Sequence, residues 1–302
     1  MASSIPVSVP ADALSVGGGP RGGSVAQRTR RLVAAGAGFV LLLTLVAAAA
    51  PWLAPHDPVR QSLRGRLAAP TLGGADGRAH PLGTDHLGRD VLSRTLYGAR
   101  VSLLVGFAAV AVGSVVGGAL GILAGYRGGW TDSVVMTVAD AQLAFPFVLL
   151  AIGIIGVLGP SFPTLVAVIG LSGWVDYARV LRSQVLVLRS REFVDAILAL
   201  GGAVPRIVAR HIVPNVLSTL VVIATLQLAR AIVLEATLSF LGLGIQPPTP
   251  SWGGMIQEGR EYLDSAWWIS IFPGCLLLLT SLVVSRSGDW LRDLLDPTLR
   301  SE

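Results

Sequence analysis

Lysine is absent from this 302-residue chain, cysteine occurs once, and charged residues make up only 14% of it. Each shortage excludes something. A phosphate-binding loop of the Gly-x-x-x-x-Gly-Lys-Ser/Thr type needs its lysine to reach the phosphates, so ATP, if it is used, is handled by another chain. The single Cys275 sits in an apolar run and allows neither an intrachain disulfide nor a cysteine metal cluster. No His-Glu-x-x-His metal motif occurs, and no metal site is expected. So little charge cannot clothe a water-exposed surface around one or two globular cores.

What fills the chain is apolar sequence, 52% of it hydrophobic and gathered in long blocks. Residues 32–55, 101–126 and 265–285 carry no charge, and each is long enough to cross a hydrocarbon layer of about 30 Å as a helix of about 20 residues. The expected fold is an all-α integral membrane protein with six transmembrane helices, at 32–54, 101–125, 134–158, 161–180, 213–240 and 266–286. The breaker cluster Gly159-Pro160-Ser161-Phe162-Pro163 separates the third from the fourth. The first run starts late and is long for a cleaved leader, so it reads as a retained helix.

Residues 1–31, rich in Gly, Pro, Ala and Ser, read as a disordered tail. Arg21, Arg28, Arg30 and Arg31 close it and place it on the cytoplasmic side. The expected organisation is this tail, then 32–97 with the first span and an extracytoplasmic segment, a core of five spans at 98–290, and a cytoplasmic tail at 291–302. The net charge of +5 is carried by arginines scattered between spans, which suits lipid headgroups rather than nucleic acid. In the second span Gly113, Gly117, Gly121 and Gly125 fall on one stripe, either a helix-packing surface or an accident of a Gly-rich composition.

The segment 192–215 is the most informative. It reads as two short helices hinged at Gly201-Gly202, with Pro205 in the first turn of the second. Val194, Ile197, Leu198 and Ile207 form its apolar face, bordered by Arg206 and Arg210. The residues alone leave two readings open: a knob that docks into a groove of a soluble partner, or an amphipathic helix lying on the inner membrane surface.

This segment resembles the EAA motif of ABC importer permeases. Asp195-Ala196-Ile197, Gly201 and Pro214 stand at the motif's Glu-Ala-Ala, Gly and Pro places, with Asp replacing Glu and Ile197 replacing the second Ala. Other matching segments include His80-Pro81-Leu82-Gly83-Thr84-Asp85 with Gly88-Arg89-Asp90, Ala144-Phe145-Pro146, Leu238-Ser239-Phe240-Leu241-Gly242, and Pro247-Pro248-Thr249-Pro250-Ser251-Trp252-Gly253. The resemblance covers roughly residues 28–300 and is closest to the second permease of dipeptide, oligopeptide and nickel uptake systems.

It implies a type I ABC importer transmembrane domain in a bacterial inner membrane, with both termini cytoplasmic and no cofactor. The implied partners are a homologous permease, two cytoplasmic ATPase subunits and an extracytoplasmic solute-binding protein. The ATPases would grip the 192–215 loop at Glu192, Val194, Asp195, Ala196, Ile197, Leu198, Gly201, Arg206 and Pro214. Cargo is expected to be di- or oligopeptides or similar small solutes, with nickel chelates and glutathione left open.

Charged residues inside spans normally face a cavity or a partner, which makes Asp140 and Glu235, with Ser239 beside the latter, candidates for the translocation path or for structural pairing. Arg230 and Glu235 are five residues apart, about 140° around a helix, and are poor partners for each other. Trp252, after the stiff Pro247–Pro250 loop, is expected to anchor at the membrane interface. Two rivals are weaker. An ATP-independent transporter or channel would be expected to show repeated halves with interrupted helices, and no repeat is evident. A rhomboid-like Gly170-Leu171-Ser172-Gly173 has no histidine base within the spans.

Overall fold

In the computed structural model, which describes residues 22–72 and 79–295, helices dominate and only two isolated β-bridges occur among the described residues. The long elements are α1 (Gly22–Ala48), α3 (Val91–Arg127), α6 (Phe162–Arg189), α9 (Val213–Phe240) and α12 (Trp268–Leu295). Shorter ones are α2 (Ala50–Leu53), α4 (Gly129–Leu143), α5 (Phe147–Leu158), α7 (Glu192–Ala199), α8 (Val204–Ile207), α10 (Trp252–Gly259) and α11 (Leu263–Ala266). A wide π-type turn over Val208–Ile212 joins α8 to α9 without a break. It precedes Pro214, which has no N–H to give to the carbonyl four residues back.

Five helices, counting α8 through α9 as one, are long and apolar enough to span a membrane. The expected third span is not one helix. Its residues form α4 and α5, which meet at 91° across Ala144-Phe145-Pro146. Pro146 removes a backbone donor and disfavours helical geometry at the residue before it, so an apolar stretch that hydropathy reads as continuous is cut. Three other expected boundaries shift. Helix α1 begins at Gly22, inside the stretch read as a disordered tail, whose first 21 residues lie outside those described. The 97/98 division falls within α3, because Asp90 starts that helix early: its side chain accepts the Ser93 N–H at 2.7 Å, a strong N-cap. The segment expected as a tail from residue 291 continues α12 to Leu295.

The glycine stripe is a packing surface. A methyl group added to Gly117 would sit 2.2 Å from the Trp174 carbonyl oxygen, and one on Gly121 would lie 2.5 Å from that of Ala178. At Gly113 and Gly125 the corresponding oxygens belong to Gly170 and Arg182, each at 2.8 Å. Backbone thus lies on backbone over three turns, as small residues permit in membrane helices. The register advances in the same direction along both chains, so α3 and α6 run parallel. The chain between them must therefore return across the layer, and the bent α4–α5 pair makes that crossing. Counted this way, there are six spans.

Replacing Gly117 by Leu forces the α3–α6 seam apart and is expected to cost about 1–3 kcal/mol. The purified variant should lose its monodisperse peak at a lower temperature than the parent. Gly153→Ala, which meets nothing within 4 Å, should melt like the parent.

Candidate functional site

The loop 192–215 forms a projection at the end of α3 and α6. Helix α7 closes in a Schellman arrangement: the Gly202 N–H donates to the Ile197 carbonyl and the Gly201 N–H to that of Leu198, both at 2.9 Å. This turn requires a left-handed residue, and Gly201 supplies it with φ +82°. Space is not the constraint at Gly201, since a side chain there would meet nothing within 4 Å. At Gly202, by contrast, an added methyl would collide with Ile197.

The apolar face divides in a way the sequence did not foretell. Val194 and Ile207 are fully buried, and with the half-buried Ile197 they pack on Leu181, Val185, Ile212 and Val216 of the protein's own helices, capped by Tyr126 of α3. Val194 therefore cannot touch a partner, and its part is to seat α7 on the bundle. The outward face instead carries Phe193, Leu198, Leu200 and Val204, with Leu200 89% exposed. Glu192, Asp195, Ala196, Gly201, Arg206 and Pro214 are exposed as well. Phe193, Leu200 and Val204, all outward, went unremarked in the sequence, where nothing shows which apolar residues of this segment turn away from the bundle.

Within the spans, charged groups find partners on neighbouring helices. Asp140 of α4 pairs with Arg179 of α6 on an exposed face, and Asp132 pairs with Arg182 one level away. Arg230 of α9 donates to Asp176 of α6 at 2.9 Å, and the Gln227 amide donates to the same carboxylate. Asp176 was missed in the sequence, where nothing marked it as the partner of a residue 54 positions on.

Among the described residues, no cation pairs with Glu235. It is fully buried, accepting from the Ser102 hydroxyl at 2.8 Å and from the Ser239 hydroxyl at 2.7 Å. The Trp252 N–H reaches the same Ser102 oxygen at 3.3 Å, so this cluster ties α3, α9 and α10 together. Of the three candidate path residues, Asp140 lies on an open face and Ser239 borders a cavity of about 220 Å³ that Arg94, Gln246, Gln257 and Glu258 also line. Glu235 is sealed in protein. Trp252 is also no interface anchor: it is fully buried, and its indole N–H donates to the Thr95 carbonyl at 3.1 Å.

A buried charge network sits where α3 begins. Arg89 donates to Asp85 at 2.6 Å and to Glu258 at 2.7 Å, and Arg94 donates to Glu258 at 2.9 Å. Two cations balance two anions, as burial of such groups demands. The network binds the loop before α3 to α10, 169 residues away.

Comparison with known proteins shows the family. Residues 117–301 match the family described as binding-protein-dependent transport system inner membrane component, and residues 28–70 match the N-terminal transmembrane domain of oligopeptide transport permease C. The chain is 41% identical over 264 residues to the di/tripeptide transport system permease protein of Pseudomonas aeruginosa, covering 87% of both. It is 40% identical over 273 residues to the glutathione transport system permease protein of Pectobacterium atrosepticum, covering 90% of this chain and 89% of that one. Among solved structures, the inward-facing MetNI methionine ABC transporter matches 68% of this chain and 98% of its own, with a TM-score of 0.51 at 20% identity, a likeness of fold. From the family match and these identities, the chain belongs to the binding-protein-dependent transport system inner membrane components.

Proposed function

We propose that this permease carries di- or oligopeptides or similar small solutes across a bacterial inner membrane, driven by ATPase subunits on separate chains. A homologous permease completes the pathway, and an extracytoplasmic binding protein delivers the cargo. The observation that carries the mechanical part is the two-faced projection of α7 and α8. Its inner face is fixed on α3, α6 and α9, while Phe193, Leu198, Leu200 and Val204 stand uncovered beside Asp195 and Arg206. Apolar anchors rimmed by charge suit a groove on a soluble partner. Movement imposed there passes directly into α6 and α9, because no flexible linker intervenes. Both termini and this projection are assigned to the cytoplasmic side, and the 56–90 segment to the other.

The exposed pairs Asp140–Arg179 and Asp176–Arg230 lie on spanning helices. Charged groups at that depth face protein or water, not lipid, and the same holds for the broken backbone at Ala144-Phe145-Pro146. We assign this face to the solute path and the homologous permease. Glu235 and Ser239 take a clamping role between α3, α9 and α10. Peptide-like cargo is supported by the relatives' names and by their identity along most of the chain.

Gly201→Val should strain the αL turn by about 1–3 kcal/mol and turn α8 away from α7. Inserted protein should persist while ATPase co-purification and solute uptake fall together. Gly201→Asn, a residue that tolerates the same backbone angles, should retain both. Uptake that survives in the Val variant at normal membrane abundance contradicts the hinge role.

Glu235 is tested by contrast. Glu235→Leu strips two buried hydroxyls of their acceptor, at a cost of about 1–3 kcal/mol, and should lower the melting temperature. Glu235→Gln keeps an acceptor and should retain stability and uptake. Uptake abolished by Gln without loss of stability would instead make Glu235 a path residue.

A further inference from the structure

Three side chains that no transport step uses converge at the start of α3. His80 and Asp90 belong to the motif-bearing loop, and His56 follows α2, 24 residues before His80 in sequence. His80 Nδ1 lies 2.9 Å from Asp90 Oδ1, and His56 Nδ1 lies 3.8 Å from the same oxygen. The two imidazoles stack, their centroids 4.7 Å apart. One ligand atom from each of the three residues falls within 4.8 Å of the other two. Asp90 Oδ2 is already engaged by the Ser93 N–H and hydroxyl at 2.7 and 2.6 Å, which fixes the carboxylate and turns Oδ1 toward the histidines. The Ser93 hydroxyl oxygen also accepts the His56 backbone N–H at 3.1 Å, holding that histidine against the same helix start.

Two further facts point to a ligand. His56 Nδ1 is buried and, among the described residues, has no hydrogen-bond partner, an arrangement that costs free energy unless something occupies the site. Beside it lies a cavity of about 20 Å³, lined by His56, His80, Asp90, Ser62, Arg60 and Asp57. That volume suits one small ion or one water. At its edge Arg60 is matched in charge by Asp57.

We propose that His56, His80 and Asp90 bind one borderline divalent cation of the Zn2+ class, clasping the segment after α2 and the loop before α3 to the α3 N-terminus. With metal–ligand bonds of about 2.0–2.1 Å, the edges of a tetrahedron measure about 3.3–3.4 Å, and the two distances to Asp90 Oδ1 fall on either side of that value. Closing the site requires that the His56–Asp90 contact shorten, that the His80–Asp90 contact lengthen, that neutral His80 carry its hydrogen on Nε2 so that Nδ1 can ligate, and that the stacked rings turn until both Nδ1 atoms face one point. The fourth position stays open for water. Two imidazoles and one carboxylate favour Zn2+, Ni2+ or Cu2+ over Mg2+ or Ca2+, which take oxygen ligands. The neighbouring group Asp85, His86 and Glu258 is no rival, because Arg89 and Arg94 already occupy its carboxylates.

The inference is independent of cargo and of ATP, so it is tested on the full-length chain purified in detergent. After chelator treatment, Zn2+ is titrated against a chromophoric competitor, and the thermal midpoint is followed in parallel. One Zn2+ per chain is expected, with a raised midpoint and no competition from excess Mg2+. His56→Ala and His80→Ala should each weaken binding by about tenfold or more, at least the loss that follows disturbance of a supporting shell, and should abolish the thermal shift. His211→Ala should change neither. If His80→Ala is not monodisperse, Asp90→Asn decides, since Asn keeps the helix cap but removes the anionic ligand. No stoichiometric Zn2+ in the parent, or unchanged affinity in the ligand variants, overturns the proposal and leaves a hydrogen-bonded latch.

Discussion

The close approach of α3 and α6 governs the rest of the structure. Four glycines let one backbone lie on the other, and because lipid supplies no hydrophobic drive for helices to associate, such packing must supply the cohesion. The seam has consequences in both directions. It makes the two helices parallel, so the intervening chain must cross back, and the bent α4–α5 pair is what results. It also brings the charged stripe of α6 within reach of α4 and α9, where Asp132, Asp140 and Arg230 find their partners.

The same seam explains where the projection stands. The ends of α3 and α6 come together at Tyr126 and Leu188, and α7 and α8 are built on that platform through Val194, Ile197 and Ile207. The proposed coupling role calls for a part that is stiff toward its own domain and open toward its driver. Burying one apolar face while leaving the other uncovered achieves this, and the Schellman turn at Gly201 fixes the angle between the two short helices. Buried polar clusters stiffen the rest, with Glu235 between α3, α9 and α10, and Asp85, Arg89, Arg94 and Glu258 around the start of α3.

Long apolar runs made the spans legible in the sequence, because crossing a bilayer imposes a length and a polarity that few residues can disguise. The hinge was equally legible, since only glycine takes the Gly201 backbone angle at no steric cost. The break at Pro146 was not, for a single proline among apolar residues barely changes hydropathy. Nor could the sequence say which face of α7 turns inward. That is decided by Leu181 and Val185 on another helix. Partners such as Asp176 with Arg230, or Arg89 with Glu258, depend on contacts across 54 and 169 residues that no local pattern encodes. Trp252 misled for a related reason: a tryptophan after a proline-rich loop suits an interface, but here the Thr95 carbonyl and a close-packed pocket claim it.

The central claim is that the α7–α8 projection lies on the inner side and is the surface that a separate ATPase covers. Single cysteines placed at Leu72 and Leu200, both largely exposed, on a Cys275→Ser background test this directly with a membrane-impermeant thiol reagent. In intact cells the cysteine at 72 should react. The cysteine at 200 should react only in inverted membranes, and should be protected when the ATPase subunits are co-expressed. Labelling of both positions from the same side, or full reactivity at 200 in the assembled transporter, would contradict the account.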